Sequence, residues 1–83
     1  MSNSLSNYYV TFREVIKSIR KTKGFTQIQL SEKLDKPQSY VSKYENGDRK
    51  LDIIEVYLIC KACNISLFSF SKMLEKALDL KGN

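Results

Sequence analysis

Gln38, Ser39, Ser42 and Lys43 are the side chains of this sequence best suited to recognition chemistry. All four are hydrogen-bonding groups, and their separations of one and four residues place them on one face of a helix. A planar Gln amide pairs with adenine N6 and N7, a Ser hydroxyl serves either type of base, and Lys reaches guanine O6 and N7. Val41 and Tyr44, three apart, take the opposite face. Solvated helix positions share this composition, so the setting decides. These residues follow a tight break after a short amphipathic segment, Thr26 to Leu34, and basic residues lie beyond them. Two short helices with the second presenting its first polar residues outward is a build that places a helix in the major groove of DNA.

The rest of the composition agrees with a polyanionic partner. Fourteen Lys and Arg against nine Asp and Glu give a formal charge of +5 over 83 residues. That length suits one domain with one modest core and leaves no room for an appended sensor domain. No apolar run reaches the roughly 18 residues of a membrane span. Residues 1–7 lack the basic and apolar regions of a signal peptide, so a cytoplasmic location is expected. With no histidine, no cluster of ligands and no nucleophile beside a base, neither catalysis, a metal nor a cofactor is expected. Cys60 and Cys63 form a C-x-x-C, but one pair falls short of a four-ligand zinc site. A redox pair belongs at the start of a helix after a strand, whereas these two close an apolar helical run. They read as small core residues of a reducing compartment.

The elements that must position the polar face are all helical. One proline and three glycines interrupt the chain, and no stretch alternates strictly enough for a strand. Residues 1–7 read as a loose N-terminal arm and residues 8–80 as the domain. A first helix begins between Tyr8 and Thr11, turns Phe12, Val15, Ile16 and Ile19 inward, and stops at Gly24. Thr26 caps the second, with Gln29 as its capping-box partner and Phe25 and Leu30 as a staple; Leu30 and Leu34 form its buried side. The third begins at or just after Pro37 and ends before Gly47. Asp52 with Glu55 opens the fourth by the same cap-and-box pattern, and Ser66 opens a fifth that fades around Leu80.

These residues resemble the phage-repressor, or Xre-type, helix-turn-helix family. The matching positions are Arg20, Gly24-Phe25-Thr26-Gln27, Leu30, Gln38 to Lys43, Glu45 to Arg49, Lys61-Ala62 and Ile65-Ser66, within roughly residues 12 to 74. The resemblance implies an all-α, lambda-repressor-like bundle of five helices that binds double-stranded DNA, usually as a homodimer on an inverted repeat. By the same resemblance, Gln38, Ser39 and Lys43 match base-reading positions, with Ser42 on the same face. Gln27, Tyr40, Asn46, Arg49 and Lys50 match positions at phosphates, although Tyr40 suits the edge of the core almost as well. A helix start beside Gln27 favours an anion in any case. Arg20 and Glu45 match a partly buried ion pair that joins the first helix to the end of the third, a structural role rather than a DNA contact.

Three positions depart from the family pattern. Asp35 stands where the family has a turn glycine, so a non-glycine residue must accept positive φ. Ser31 replaces a close-packed alanine, and its hydroxyl needs a partner. Lys36 replaces an apolar turn residue, near where phosphate would lie.

The apolar surface of residues 52–80 exceeds one stripe. The resemblance turns Ile53, Val56, Ile59, Cys60 and Cys63 toward the core and leaves Ile54 and Leu58 over. Together with Phe70, Met73, Leu74 and Ala77 of the fifth helix, they make an expected dimer interface. The expectation is therefore a homodimeric transcriptional regulator. The alternative is an antitoxin or co-regulator that uses the same fold to bind a partner protein.

Overall fold

The first helix is longer than its sequence signals suggest. A computed structural model describes residues 4–80, in which α1 runs Ser4–Lys23, α2 Gln27–Lys33, α3 Tyr40–Asn46, α4 Ile53–Ala62 and α5 Leu67–Leu80. Of the expected N-terminal arm, residues 4–7 are helical, and residues 1–3 lie outside the described residues. The reason is packing. Tyr9 and Leu5 extend the stripe of Phe12 by one and two turns, and all three line a hollow shared with Leu78 of α5.

Local signals fix most other boundaries. Gly24 ends α1 at φ 88, and its N–H and that of Phe25 both donate to the Arg20 carbonyl. Both capping boxes form: Thr26 with Gln29, and Asp52 with Glu55. Ser66 caps α5 by accepting from the Ser69 N–H at 3.0 Å. Asp35 takes φ 59, as the missing turn glycine demands, and Gly47 closes α3 at φ 90.

The third helix starts later than Pro37. The Tyr40 N–H donates to the Pro37 carbonyl at 2.9 Å, which closes one tight turn over Gln38 and Ser39 before regular helix begins at Tyr40. Pro37 is the opening residue of that turn, three positions ahead of the helix.

The helices α1 and α3 pack together, α2 lies on α3, and α5 closes over α1 and α4. Ile16, Leu30, Val41, Ile59 and Cys60 are fully enclosed, and Phe12 meets Phe70 edge-to-face at 6.1 Å. Cys60 and Cys63 are both buried thiols, and burial pushes Cys60 up to about 11.

Two assignments for residues 52–80 need correcting. Phe70 is 2% exposed, so it belongs to this core and not to an interface. Ile53 is 63% exposed: it sits a turn ahead of Val56, over an open groove with Phe68 and Leu74, rather than beneath neighbouring helices. Leu74 and Ala77 are half-buried against the core, whereas Ile54, Leu58 and Met73 are exposed, as are Tyr57 and Phe68.

One polar cluster crosses the bundle. Arg20 Nε and Nη2 donate to the two Glu45 oxygens at 2.7 and 3.0 Å, Arg20 Nη1 to the Phe25 carbonyl at 2.7 Å, and Gln27 Nε2 to Glu45 Oε1 at 2.9 Å. The Glu45 hydrogen bond holds the Arg20 pKa above its usual value against the opposing effect of burial. Removing either charge strands the other in a nearly dry site. Arg20→Ala and Glu45→Ala are each expected to cost about 3–5 kcal/mol, measured by urea unfolding. A loss below about 1 kcal/mol would show the pair to be no stronger than a surface one.

Candidate nucleic-acid interface

The turn between α2 and α3 is held from beneath by one hydroxyl. Ser31 is fully buried; its Oγ accepts from the Val41 N–H at 3.1 Å and donates to the Gln38 carbonyl at 3.3 Å. That bond satisfies an early N–H of α3, the usual task of an N-cap side chain. Ser39, the residue at the N-cap position, makes no side-chain capping bond. Its hydroxyl therefore remains available on the surface.

Around it the expected reading residues divide. Gln38, Ser39 and Lys43 are exposed together at the start of α3. Ser42 is half-buried and donates its proton to the Ser39 carbonyl at 3.0 Å, leaving its oxygen as an acceptor. The group forms one polar surface, but Gln38 and Ser39 reach it from the turn and not from the helix.

The expected phosphate contacts are less uniform. Asn46, Arg49 and Lys50 are exposed at the end of α3 and in the loop after it. Gln27 spends an amide proton on Glu45. Tyr40 is 8% exposed, stacks edge-on against Tyr44 at 5.4 Å, and donates its hydroxyl to Glu55 Oε2 at 3.1 Å. Its placement at the edge of the core is thus realised. The same ring gathers cations from two loops: Lys36 Nζ lies 5.4 Å and Arg49 Cζ 5.3 Å from its centre. Lys36, Lys43, Arg49 and Lys50 all remain solvent-exposed, a positive border to the polar surface.

Glu55 organises this border, a role beyond its expected one as capping-box partner. Its carboxylate accepts from the Asp52 N–H, the Tyr40 hydroxyl and Arg49 Nη2. The Asp52 N–H is the chief cause of its lowered pKa, with Tyr40 and Arg49 adding to it against the effect of burial. Burial, then the Glu55 contact, raises that of Tyr40. A residue with three such ties has a sequence signal for only one, the local i, i+3 box.

Among the described residues, no group of three or more His, Cys, Asp or Glu is placed to hold a metal ion. No single helix among them is long and apolar enough to cross a membrane.

A family model described as Helix-turn-helix matches residues 16–70. A search of curated proteins finds no match. Among solved structures, the wild-type restriction-modification controller protein C.Esp1396I is 35% identical, with a TM-score of 0.78 over 86% of this chain and 92% of that one. The tetramer of that controller bound to its natural 35 base-pair operator aligns at 35% identity and TM-score 0.77, over 86% of this chain and 93% of that one. An XRE-family like protein from Pseudomonas syringae pv. tomato str. DC3000 is 32% identical, with a TM-score of 0.79 over 90% and 96% of the two chains.

The two serines of the turn are expected to separate stability from recognition. Ser31→Ala should lose about 1–2 kcal/mol, because the Val41 N–H loses its partner in the interior. Ser39→Ala should change stability by less than about 0.5 kcal/mol. Thermal melts of the two variants check this, and equal losses would show that Ser39 does cap α3.

Proposed function

The chain belongs to the Xre-type helix-turn-helix family, and from that premise we propose that it is a transcriptional regulator that binds an inverted-repeat operator as a homodimer, with α3 in the major groove. The family consists of DNA-binding regulators rather than enzymes. One observation carries the reading for this chain. Gln38, Ser39 and Lys43 stand exposed together while the bonds that build the turn are made by Ser31 and the backbone. Hydrogen-bonding groups left free at a helix start, within a positive border, are what base edges and flanking phosphates require.

In this reading Gln38, Ser39, Ser42 and Lys43 meet bases, and Asn46, Arg49 and Lys50 meet phosphate. Gln27 keeps its second amide proton for a phosphate, since Glu45 takes only one, whereas Tyr40 contributes mainly by position because Glu55 holds its hydroxyl proton. Occupancy of the operator would block polymerase or recruit it. The likeness to restriction-modification controllers favours a regulator of that kind, acting in the cytoplasm, over an antitoxin that works by holding a partner protein.

A single reading helix covers few base pairs, and paired half-sites roughly 34 Å apart call for two copies. Ile54, Leu58 and Met73 are available for that contact, with Ile53, Tyr57 and Phe68 added by their exposure and Phe70 withdrawn by its burial. Exposed apolar side chains in this number on a small domain suit a symmetric partner.

Titration of DNA from upstream of the gene against random duplex, over a salt series, tests the DNA contact. Preference for the upstream DNA is expected, with log K falling by about 0.9 per log salt for each phosphate contact. Gln38→Ala should relax preference at one base pair per half-site by about 1–3 kcal/mol, and Arg49→Ala should weaken all sequences and flatten the salt slope. Equal affinity for both duplexes would overturn the reading.

Sedimentation equilibrium tests the dimer separately. The wild type should dimerise at micromolar concentration, and Leu58→Glu, which places a charge in the apolar patch, should yield folded monomer. A wild type that stays monomeric at tens of micromolar and binds a half-site as tightly as a repeat would remove the dimer.

A further inference from the structure

Beside the loop that follows α3 lies a cavity of about 320 Å³, lined in part by Gly47 of that loop. Its walls are apolar and largely aromatic: Tyr8, Tyr9 and Phe12 of α1, with Leu74 and Leu78 of α5. The volume falls at the small end of the range for ligand pockets. Its mouth is basic. Arg13, Arg49 and Lys50 stand there against a single acid, Asp52, whose carboxylate already accepts from the Glu55 N–H at 2.8 Å. Arg49 is tied to Glu55, whereas Arg13 and Lys50 have no ion-pair partner among the described residues. Lys50 Nζ rests 4.2 Å from the centre of the Tyr9 ring.

The ring of Tyr44 closes part of the wall, with its hydroxyl enclosed in the protein. Tyr44 is 1% exposed, and its hydroxyl is a buried side-chain polar atom with no hydrogen-bond partner. An apolar chamber with a doubly cationic mouth has the recognition pattern of an amphipathic anion.

We propose that this cavity is an effector site for a small amphipathic anion, whose apolar body fills the space between α1 and α5 while its carboxylate or phosphate head meets Arg13 and Lys50. The site controls the loop directly. A Cβ built at Gly47 would lie 3.1 Å from Arg13 Cζ, so the Arg13 guanidinium is seated against the loop backbone. A head group that draws Arg13 and Lys50 toward itself shifts that loop and removes a cation from the DNA border. Ligand binding therefore weakens operator binding, a consequence that rests on the DNA-binding reading above, whereas the cavity itself does not.

Sodium decanoate below its micellar range is the carboxylate probe, decyl phosphate the phosphate probe and decanol the neutral control. All three are titrated into the full chain without DNA and followed by amide chemical shifts. Saturable shifts centred on Tyr9, Arg13, Tyr44, Gly47 and Lys50, with decanol at least tenfold weaker, are expected. The tighter anion identifies the head group. Arg13→Gln, checked for folding by its melting curve, should weaken the anions about tenfold and leave decanol unchanged. Unsaturable shifts spread over Ile54, Leu58 and Phe68, or no shifts at all, would overturn the site. Operator affinity is then measured with and without the tighter anion. A severalfold loss is expected, and unchanged affinity with the cavity filled would overturn the regulatory role. A protein that binds the anion but no operator would count against the DNA reading and against that role, leaving the site standing.

Discussion

The Arg20–Glu45 pair is the constraint on which the geometry of this bundle turns. The helices α2 and α3 have seven residues each, too few to be stable alone, so their orientation must come from tertiary contacts. Apolar packing supplies most of the stability but little directional control. The guanidinium supplies direction. From the last turn of α1 it holds the Phe25 carbonyl ahead of α2 and both Glu45 oxygens near the end of α3, while Gln27 reaches the same carboxylate. Three helices therefore share one planar, nearly dry node. Lysine could not replace arginine there, because a single ammonium lacks the fork that meets two oxygens and a carbonyl at fixed angles.

With that node in place, the structural hydrogen bonds fall on residues other than those at the exposed start of α3. Ser31 caps α3 from a neighbouring helix, and Asp35 accepts the left-handed conformation at the turn. Glu55 gathers Tyr40, Arg49 and the Asp52 N–H at one carboxylate. Gln38, Ser39 and Lys43 carry none of this load in their side chains. The departures from the family pattern at Ser31 and Asp35 are thus accommodated rather than tolerated at a loss. The serine hydroxyl finds two partners, and Asp is among the residues that visit positive φ with least difficulty.

What was legible in the sequence was local. Both capping boxes, the glycine stops and the inward face of α1 depend on residues a turn apart, and all form as expected. The buried arginine and its acid were legible only through the family resemblance, because 25 residues separate them. The start of α3 lies later than its proline signal indicates, because Pro37 opens a tight turn over Gln38 and Ser39 before regular helix begins. Ile53 and Phe70 exchanged roles for a related reason. Helical periodicity gives a residue's direction, but how far the opposing helix extends decides whether that direction is covered. Residues 4–7 look polar apart from Leu5, and only the hollow against α5 shows why they are helical. The ties of Glu55 to Tyr40 and Arg49 had no spacing signal at all.

Seven residues of α3 cannot transmit much by bending, so any change in recognition must enter through the segments at its two ends. The N-terminal end is fixed by Ser31 and the Pro37 turn, both closed by hydrogen bonds in or beside the core. The C-terminal end is closed by backbone hydrogen bonds from Gly47 and Asp48 to Lys43 and Tyr44. Gly47 holds a conformation that side-chain-bearing residues rarely adopt, and the next three residues are exposed. Arg13 lies directly against that glycine, and the basic-mouthed cavity opens beside it. Any group added at position 47 would meet the guanidinium as well as the backbone strain. The loop bearing Arg49 and Lys50 is therefore positioned by α1 through Arg13, and by α4 through Glu55, more than by α3 itself. Adjustment of phosphate contacts without disturbance of the base-facing residues is physically simplest at this end of the helix.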